Sequence, residues 1–163
     1  MIKKIKASKS EKIIFFFLIS LAIFSLGSFF LIKNKCLFVK DYNPDKLSFD
    51  KPNNIAILNV ECGNVIIELY PNISPNAVER FKTLVRSKAY DDVAFHRVIK
   101  DSLVQAGDLE FGKKGNIDYG KIGTGQSGLG TINSEIDVPF NYERGSVGLA
   151  RTQKYNTEDS QFF

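Results

Sequence analysis

Phe95-His96-Arg97-Val98-Ile99, then Lys100-Asp101-Ser102, then Leu103-Val104-Gln105-Ala106-Gly107 is the stretch on which the fold turns. Its two apolar runs are rich in β-branched residues and are parted by three polar ones. That pattern predicts two strands, over 93–99 and 103–107, joined by a short polar connection. Upstream, Ile55–Val60 and residues 65–70 are similar runs separated by Glu61-Cys62-Gly63-Asn64, whose Gly and Asn accept the positive φ of a tight turn, and together they predict a β-hairpin. Between the two strand pairs, Ser74-Pro75 predicts an N-cap with proline at the first helical position. Ala77, Val78, Phe81, Leu84 and Val85 then recur on one helical face, so an amphipathic helix is predicted over 75–87.

Downstream, seven glycines between 112 and 130 (112, 115, 120, 123, 125, 128 and 130) exclude regular structure and predict a long loop lying close against a neighbouring surface. Residues 146–150 read as a last strand. Phe162 and Phe163 at the end leave apolar area to be buried, and are read as an exposed aromatic terminus.

The first forty residues are of another kind. Residues 13–32 form twenty consecutive uncharged positions. As a helix rising ~1.5 Å per residue they match a bilayer core of ~30 Å. Lys3, Lys4, Lys6, Lys9 and Lys12 precede them, which places the N-terminus in the cytoplasm and the chain beyond Ile32 on the extracytoplasmic, periplasmic side. Phe29-Phe30-Leu31-Ile32-Lys33 is no small-x-small cleavage site, so the segment is read as an uncleaved single-pass anchor in preference to a cleaved signal. The organisation expected is a basic cytoplasmic stretch 1–12, a membrane anchor 13–32, a tether 33–53 rich in Pro and Asn, and a folded domain 54–163.

The 163 residues carry a net charge of +4, but eight of the 22 Lys and Arg and only one of the 18 acids lie in residues 1–40. The remainder is mildly acidic, and nucleic acid is not an expected partner. Cys36 and Cys62 are too few for a disulfide framework and have no metal-ligand spacing; they read as two incidental thiols, with a single bridge as the alternative outside the cytoplasm. Gly123-Thr124-Gly125-Gln126-Ser127-Gly128 has the spacing of a dinucleotide-binding loop but no flanking strand and helix, so a surface loop is preferred. The only histidine, His96, sits in an apolar strand and is assigned to packing or to a hydrogen bond with a nearby loop. Asn72-Ile73-Ser74 formally matches a glycosylation acceptor but is followed by Pro75 and is given little weight. No nucleophile, metal cluster or cofactor loop emerges.

Four blocks in register carry a resemblance: residues 95–99 (FHRVI), 105–108 (QAGD), 145–152 (GSVGLART) and 160–163 (SQFF). They are similar to the successive signature blocks of cyclophilins, which are peptidyl-prolyl cis–trans isomerases, and the Ala-Arg-Thr block is typical of the bacterial branch. The match runs from about Ile55 to the end. It implies a mainly β fold, a closed eight-stranded antiparallel barrel with flanking helices. It also implies proline-containing polypeptides as partners, no cofactor or metal, and a monomer.

The activity so implied breaks no bond. Rotation about the amide before proline is opposed by ~18–20 kcal/mol of lost resonance, and takes tens of seconds or more unaided. A site needs an apolar pocket for the ring and a fixed donor for the twisted amide, and a guanidinium supplies the donor without losing its charge. By resemblance Arg97 is that catalytic donor, Gln105 fixes it and the substrate backbone, Ala150, Arg151 and Gln161 line the peptide groove, and Leu103 and Phe163 belong to the proline pocket. Ser102 stands where the family usually has phenylalanine, which removes apolar contact worth about 1.5–3 kcal/mol if fully buried. The family pattern also continues past Phe163 with further strands and pocket residues, which implies an incomplete barrel. The function expected is isomerisation that assists folding of extracytoplasmic proteins. Its rival is a non-catalytic proline-peptide-binding or chaperone module, or a degenerate fragment.

Overall fold

The computed structural model describes residues 8–34, 36, 37, 39, 43–136 and 141–163. Lys3, Lys4 and Lys6 of the basic stretch, and tether residues 35, 38 and 40–42, lie outside the described residues. By its internal contacts the chain divides into two units: residues 1–47 with 58–65, and residues 48–57 with 66–163.

The first unit contains helix α1 (Lys9–Lys33), which encloses the apolar run. Its start is fixed by a reciprocal capping box: the Glu11 amide donates to Ser8 Oγ at 3.2 Å and the Ser8 amide to Glu11 Oε2 at 2.7 Å. It stops at Asn34, whose side-chain amide donates to the Phe30 carbonyl at 2.9 Å. α1 is long and apolar enough to cross a membrane and has no buried residue, so it is a candidate span or signal sequence.

The same unit holds the turn of the hairpin formed by β1 (Ile55–Val60) and β2 (Gly63–Glu68). The turn is two residues, Glu61-Cys62, tighter than the four expected. It brings Cys62 to Cys36, with Cα atoms 5.0 Å apart, and the two are joined as a disulfide. The reading of two incidental thiols is therefore corrected. Cys36 lies three residues beyond the last turn of α1 and Cys62 in a reverse turn, and spacing along the chain could not reveal that they meet.

In the second unit, the expected extended tether is broken by two short 3-10 turns, Pro44–Lys46 just before it and Pro52–Asn54 within it. Proline begins each, because its fixed φ suits a first helical position. Asn54 then begins the packed region, its side chain accepting from Lys82 Nζ at 2.9 Å and its carbonyl from the Leu69 amide at 2.7 Å.

α2 (Pro75–Arg86) buries Val78, Phe81 and Leu84, the stripe that periodicity picks out, while Val85 stays exposed. Its cap is not the expected one. Ser74 makes no side-chain capping bond, and the Glu135 carboxylate instead accepts from the amides of Asn76 at 2.9 Å and Ala77 at 3.0 Å. A charged carboxylate satisfies two orphan donors and complements the helix dipole, which a single hydroxyl cannot match.

β3 (Arg97–Ile99) and β4 (Leu103–Gln105) pair antiparallel, with Arg97 opposite Gln105 and Ile99 opposite Leu103. Both are shorter than expected. The residues flanking them make single bridges instead, Val93 with Lys113 and Ala106 with Phe162. Phe162 also bridges Leu149, so the expected strand at 146–150 survives as one edge of a three-segment ladder. Among the described residues the strands form two two-stranded sheets and four isolated bridges, not a closed barrel. The long loop follows its own path because side-chain carboxylates take its amides: Asp108 those of Gly123 and Gly125, and Asp159 that of Ser127.

The core is Ala56, Ile67, Val78, Phe81, Leu84, Ala106 and Phe162. Phe81, Tyr90 and Phe162 meet with ring centroids 5.3 to 5.4 Å apart, largely edge to face. The expectation of an exposed aromatic terminus is thus reversed: Phe162 is in the core, and Phe163 is half-buried against Tyr142 at 5.4 Å.

Candidate active site

Side chains alternate across a strand, so the ladder sorts its residues into two faces. Ala106 and Phe162 face the core. Gln105 and Leu103 on β4, Gln161 and Phe163 beside it, and Ala150 beyond them therefore share the opposite face, and Arg97 joins them from β3 opposite Gln105. The backbone ties the segments together at this point: Ala106 and Phe162 exchange both amide bonds at 3.0 Å, Gly148 and Phe163 do so at 3.0 and 3.1 Å, and the Ala150 amide donates to the Gln161 carbonyl at 2.7 Å.

On that face a chain of side-chain hydrogen bonds begins at an exposed cation. Arg97 Nη1 donates to Gln105 Oε1 at 3.4 Å, and Gln105 Nε2 donates to Gln161 Oε1 at 2.9 Å. Gln161 Nε2 donates in turn to the carbonyls of Gly123 at 3.0 Å and Gly125 at 2.9 Å. Three of the residues read from sequence are thus brought together. Ala150 adjoins them through the backbone, and Leu103 and Phe163 are half-buried on the same face. Arg151 is turned elsewhere: it lies over the Tyr155 ring at 5.0 Å, donates to the Thr152 carbonyl at 3.0 Å, and its Nε is 3.8 Å from Glu158. Ser102 lies exposed in the β3–β4 turn.

The support beneath this face was not legible as such. Asp108 is wholly buried and its carboxylate accepts from the amides of Glu110, Phe111, Gly123 and Gly125 at 2.6 to 3.2 Å. Burial pushes its pKa up, but the four amide donors outweigh burial and hold it below the ordinary carboxylate value. Tyr90 donates to the Ser160 carbonyl at 2.7 Å, and its phenol is held protonated well above its usual range, first by burial and then by the Asp159 charge, against the opposing pull of Arg80. Asp159 is paired with Arg80 and Ser127. The one available signal was the place of Asp108 within the QAGD block, a lone acid ahead of a glycine-rich loop.

His96 packs beside the loop, its ring next to Gly123, as one of its two expected roles required; among the described residues neither ring nitrogen has a hydrogen-bond partner. No group of three or more metal-ligating side chains occurs among the described residues.

Residues 55–163 match the family model described as cyclophilin-type peptidyl-prolyl cis–trans isomerase/CLD. This chain belongs to the cyclophilin family. A relative from Brucella suis, named "Probable peptidyl-prolyl cis-trans isomerase", is 44% identical over 115 residues, which are 69% of this chain and 57% of the relative. "Peptidyl-prolyl cis-trans isomerase-like 2" of Gibberella zeae is 36% identical over 115 residues, 69% of this chain and 18% of that one. Among solved structures, cyclophilin AquaCyp293 from Hirschia baltica superposes with a TM-score of 0.52 at 21% identity, covering 76% of this chain and 64% of that one, and shows the cyclophilin fold. The match spans little more than half the length of the Brucella relative. Within it fall the exposed face, the Arg97 chain and the glycine loop of this cyclophilin domain.

Proposed function

We propose that this cyclophilin domain is a peptidyl-prolyl cis–trans isomerase in which Arg97 donates to the prolyl amide as it twists out of conjugation. The observation that carries the reading is the hydrogen-bond chain from Arg97 through Gln105 to Gln161: it anchors one side of a permanently charged donor while the residue itself stays exposed to a peptide. Leu103 and Phe163 flank it as the proline pocket. Gln105, Gln161 and Ala150 take the peptide backbone, and Arg151 joins the lining of the groove only if it leaves its place over Tyr155. The domain, residues 54–163, acts as a monomer on proline-containing polypeptides outside the cytoplasm, held by 13–32 as an uncleaved anchor behind the basic stretch 1–12 and the tether 33–53. The eight-stranded barrel of the family belongs to the same proposal, with the two strand pairs described above as part of it.

The test is the rate of prolyl isomerisation in a short peptide, measured on the full chain in detergent. Arg97→Ala should lower the rate about a hundredfold, the scale on which removal of one transition-state donor acts. An unchanged rate would overturn the role of Arg97. The exposed Ser102 favours a second reading, a non-catalytic proline-peptide-binding or chaperone module. On that reading the unmodified chain binds the peptide without accelerating it, and Ser102→Phe raises affinity.

A further inference from the structure

The two glutamine amides on the active face can each be placed in two orientations, and only one of the four combinations pairs a donor with an acceptor at every contact from the glycine loop to Arg97. What selects that combination lies at the far end of the chain. The carbonyls of Gly123 and Gly125 can only accept, so the end of Gln161 that faces them must be its NH2 group, which meets both at 3.0 and 2.9 Å. Gln161 Oε1 is thereby turned to Gln105, and it too can only accept. Gln105 must then offer it NH2, and what remains for Arg97 is Gln105 Oε1, an acceptor for a cation that can only donate. Were the glycine carbonyls turned away, both amides would be free to flip, and nothing beyond Arg97 itself would keep Gln105 Oε1 facing it.

The carbonyls are held in place by a group outside the face. Gly123 and Gly125 both donate their amides to Asp108 Oδ2, at 2.6 and 3.0 Å, so one carboxylate oxygen fixes the 122–123 and 124–125 peptide units, each directly preceding a unit whose carbonyl meets Gln161. The approach admits no side chain: a Cβ on Gly125 would overlap Asp108 Oδ1 and lie 2.8 Å from Glu110 Cβ.

We propose that Asp108 is a positioning residue of the isomerase site, which it governs by fixing the Gly123–Gly125 turn whose carbonyls set the direction of the hydrogen-bond chain that ends on Arg97. The proposal rests on the isomerase reading for its kinetic consequence, but the direction of the chain is observable without it. In Asp108→Asn an NH2 group replaces one carboxylate oxygen and opposes amide donors that all point inward. The turn relaxes, and Gln161 and Gln105 lose their fixed orientation.

The experiment compares the full chain with Asp108→Asn and Gln161→Glu by side-chain NMR and by isomerisation kinetics. In the unmodified chain the side-chain NH2 protons of Gln161 should be shifted and protected from solvent, with hydrogen-bond couplings to the two glycine carbonyls. In Asp108→Asn those signals should collapse to solvent-exchanging values and kcat should fall about ten- to a hundredfold with KM changed less, the scale of a misplaced catalytic group. Gln161→Glu, on the half-exposed face, keeps the fold and tests the chain if Asp108→Asn does not fold. Its carboxylate cannot donate to the two carbonyls, and the same fall in kcat is expected. A freely exchanging Gln161 amide in the unmodified chain, or a folded Asp108→Asn with unchanged amide signals and kcat, overturns the proposal. If instead Arg97→Ala and the unmodified chain isomerise at the same rate, it is the isomerase reading that fails, and the amide signals still decide the direction of the chain.

Discussion

Asp108 is a fully buried acid that stays ionised, because it gives up water only to receive four backbone donors. Its folded pKa lies below the ordinary 3.8, so protons bind the unfolded chain first as pH falls. The stabilisation it confers is therefore complete above that ordinary value and is lost as pH drops through the lowered one. Asp108→Asn removes this dependence. Denaturation midpoints measured from about pH 6 down to about pH 3 should fall more steeply for the unmodified chain than for the variant, and parallel curves would refute the linkage. Gly125→Ala attacks the same contact from the other side and should cost about 1–3 kcal/mol, since either the turn or the carboxylate must move. What the sequence discloses at this scale is chemical type alone. Arg97, Gln105 and Gln161 can be singled out because their signature blocks keep a fixed order, whereas the role of Asp108 depends on amides 15 and 17 residues away, and no local pattern encodes where those amides point.

Among the elements, α2 divides what periodicity reveals from what it cannot. Val78, Phe81 and Leu84 are readable as the buried stripe because helical geometry alone puts them on one side. The cap escapes such a reading because Ser74 has the right type at the right place, while Glu135, a residue 59 positions from the amide it receives, arrives through the fold of the long loop. Replacing Glu135 by Ala should therefore cost about 1–2 kcal/mol, the range for loss of a helix cap, whereas Ser74→Ala should cost a few tenths at most. Chemical denaturation of both variants checks this, and a larger loss at Ser74 would restore the local cap. The strand pairs follow the same division. Alternation locates β1 to β4, but β3 and β4 are short because the residues around them bridge to Lys113 and Phe162 instead of extending a common ladder.

For the molecule as a whole, the decisive covalent fact is the bond between Cys36 and Cys62, a sequence separation of 26. It ties the chain just past α1 to the β1–β2 turn and closes residues 37–61 into a ring. A cross-link over a loop of this length confers roughly 3 kcal/mol by restricting the unfolded chain. Bonds of this kind persist in oxidising compartments, so the disulfide and the proposed extracytoplasmic placement stand or fall on related chemistry. Inside the ring, Lys46 is exposed and is followed by Leu47, a bond open to trypsin. Trypsin cutting there severs the backbone between α1 and the folded domain but leaves them joined through sulfur. Protein isolated under thiol-blocking conditions and lightly digested should thus migrate as one species without reductant and as two with it, the helix-bearing fragment parting from the domain. Cys62→Ser should give two fragments in both lanes. Separation of the native fragments without reductant, or labelling of both thiols before reduction, would show that the bond is not made and that only the peptide chain links the apolar helix to the domain.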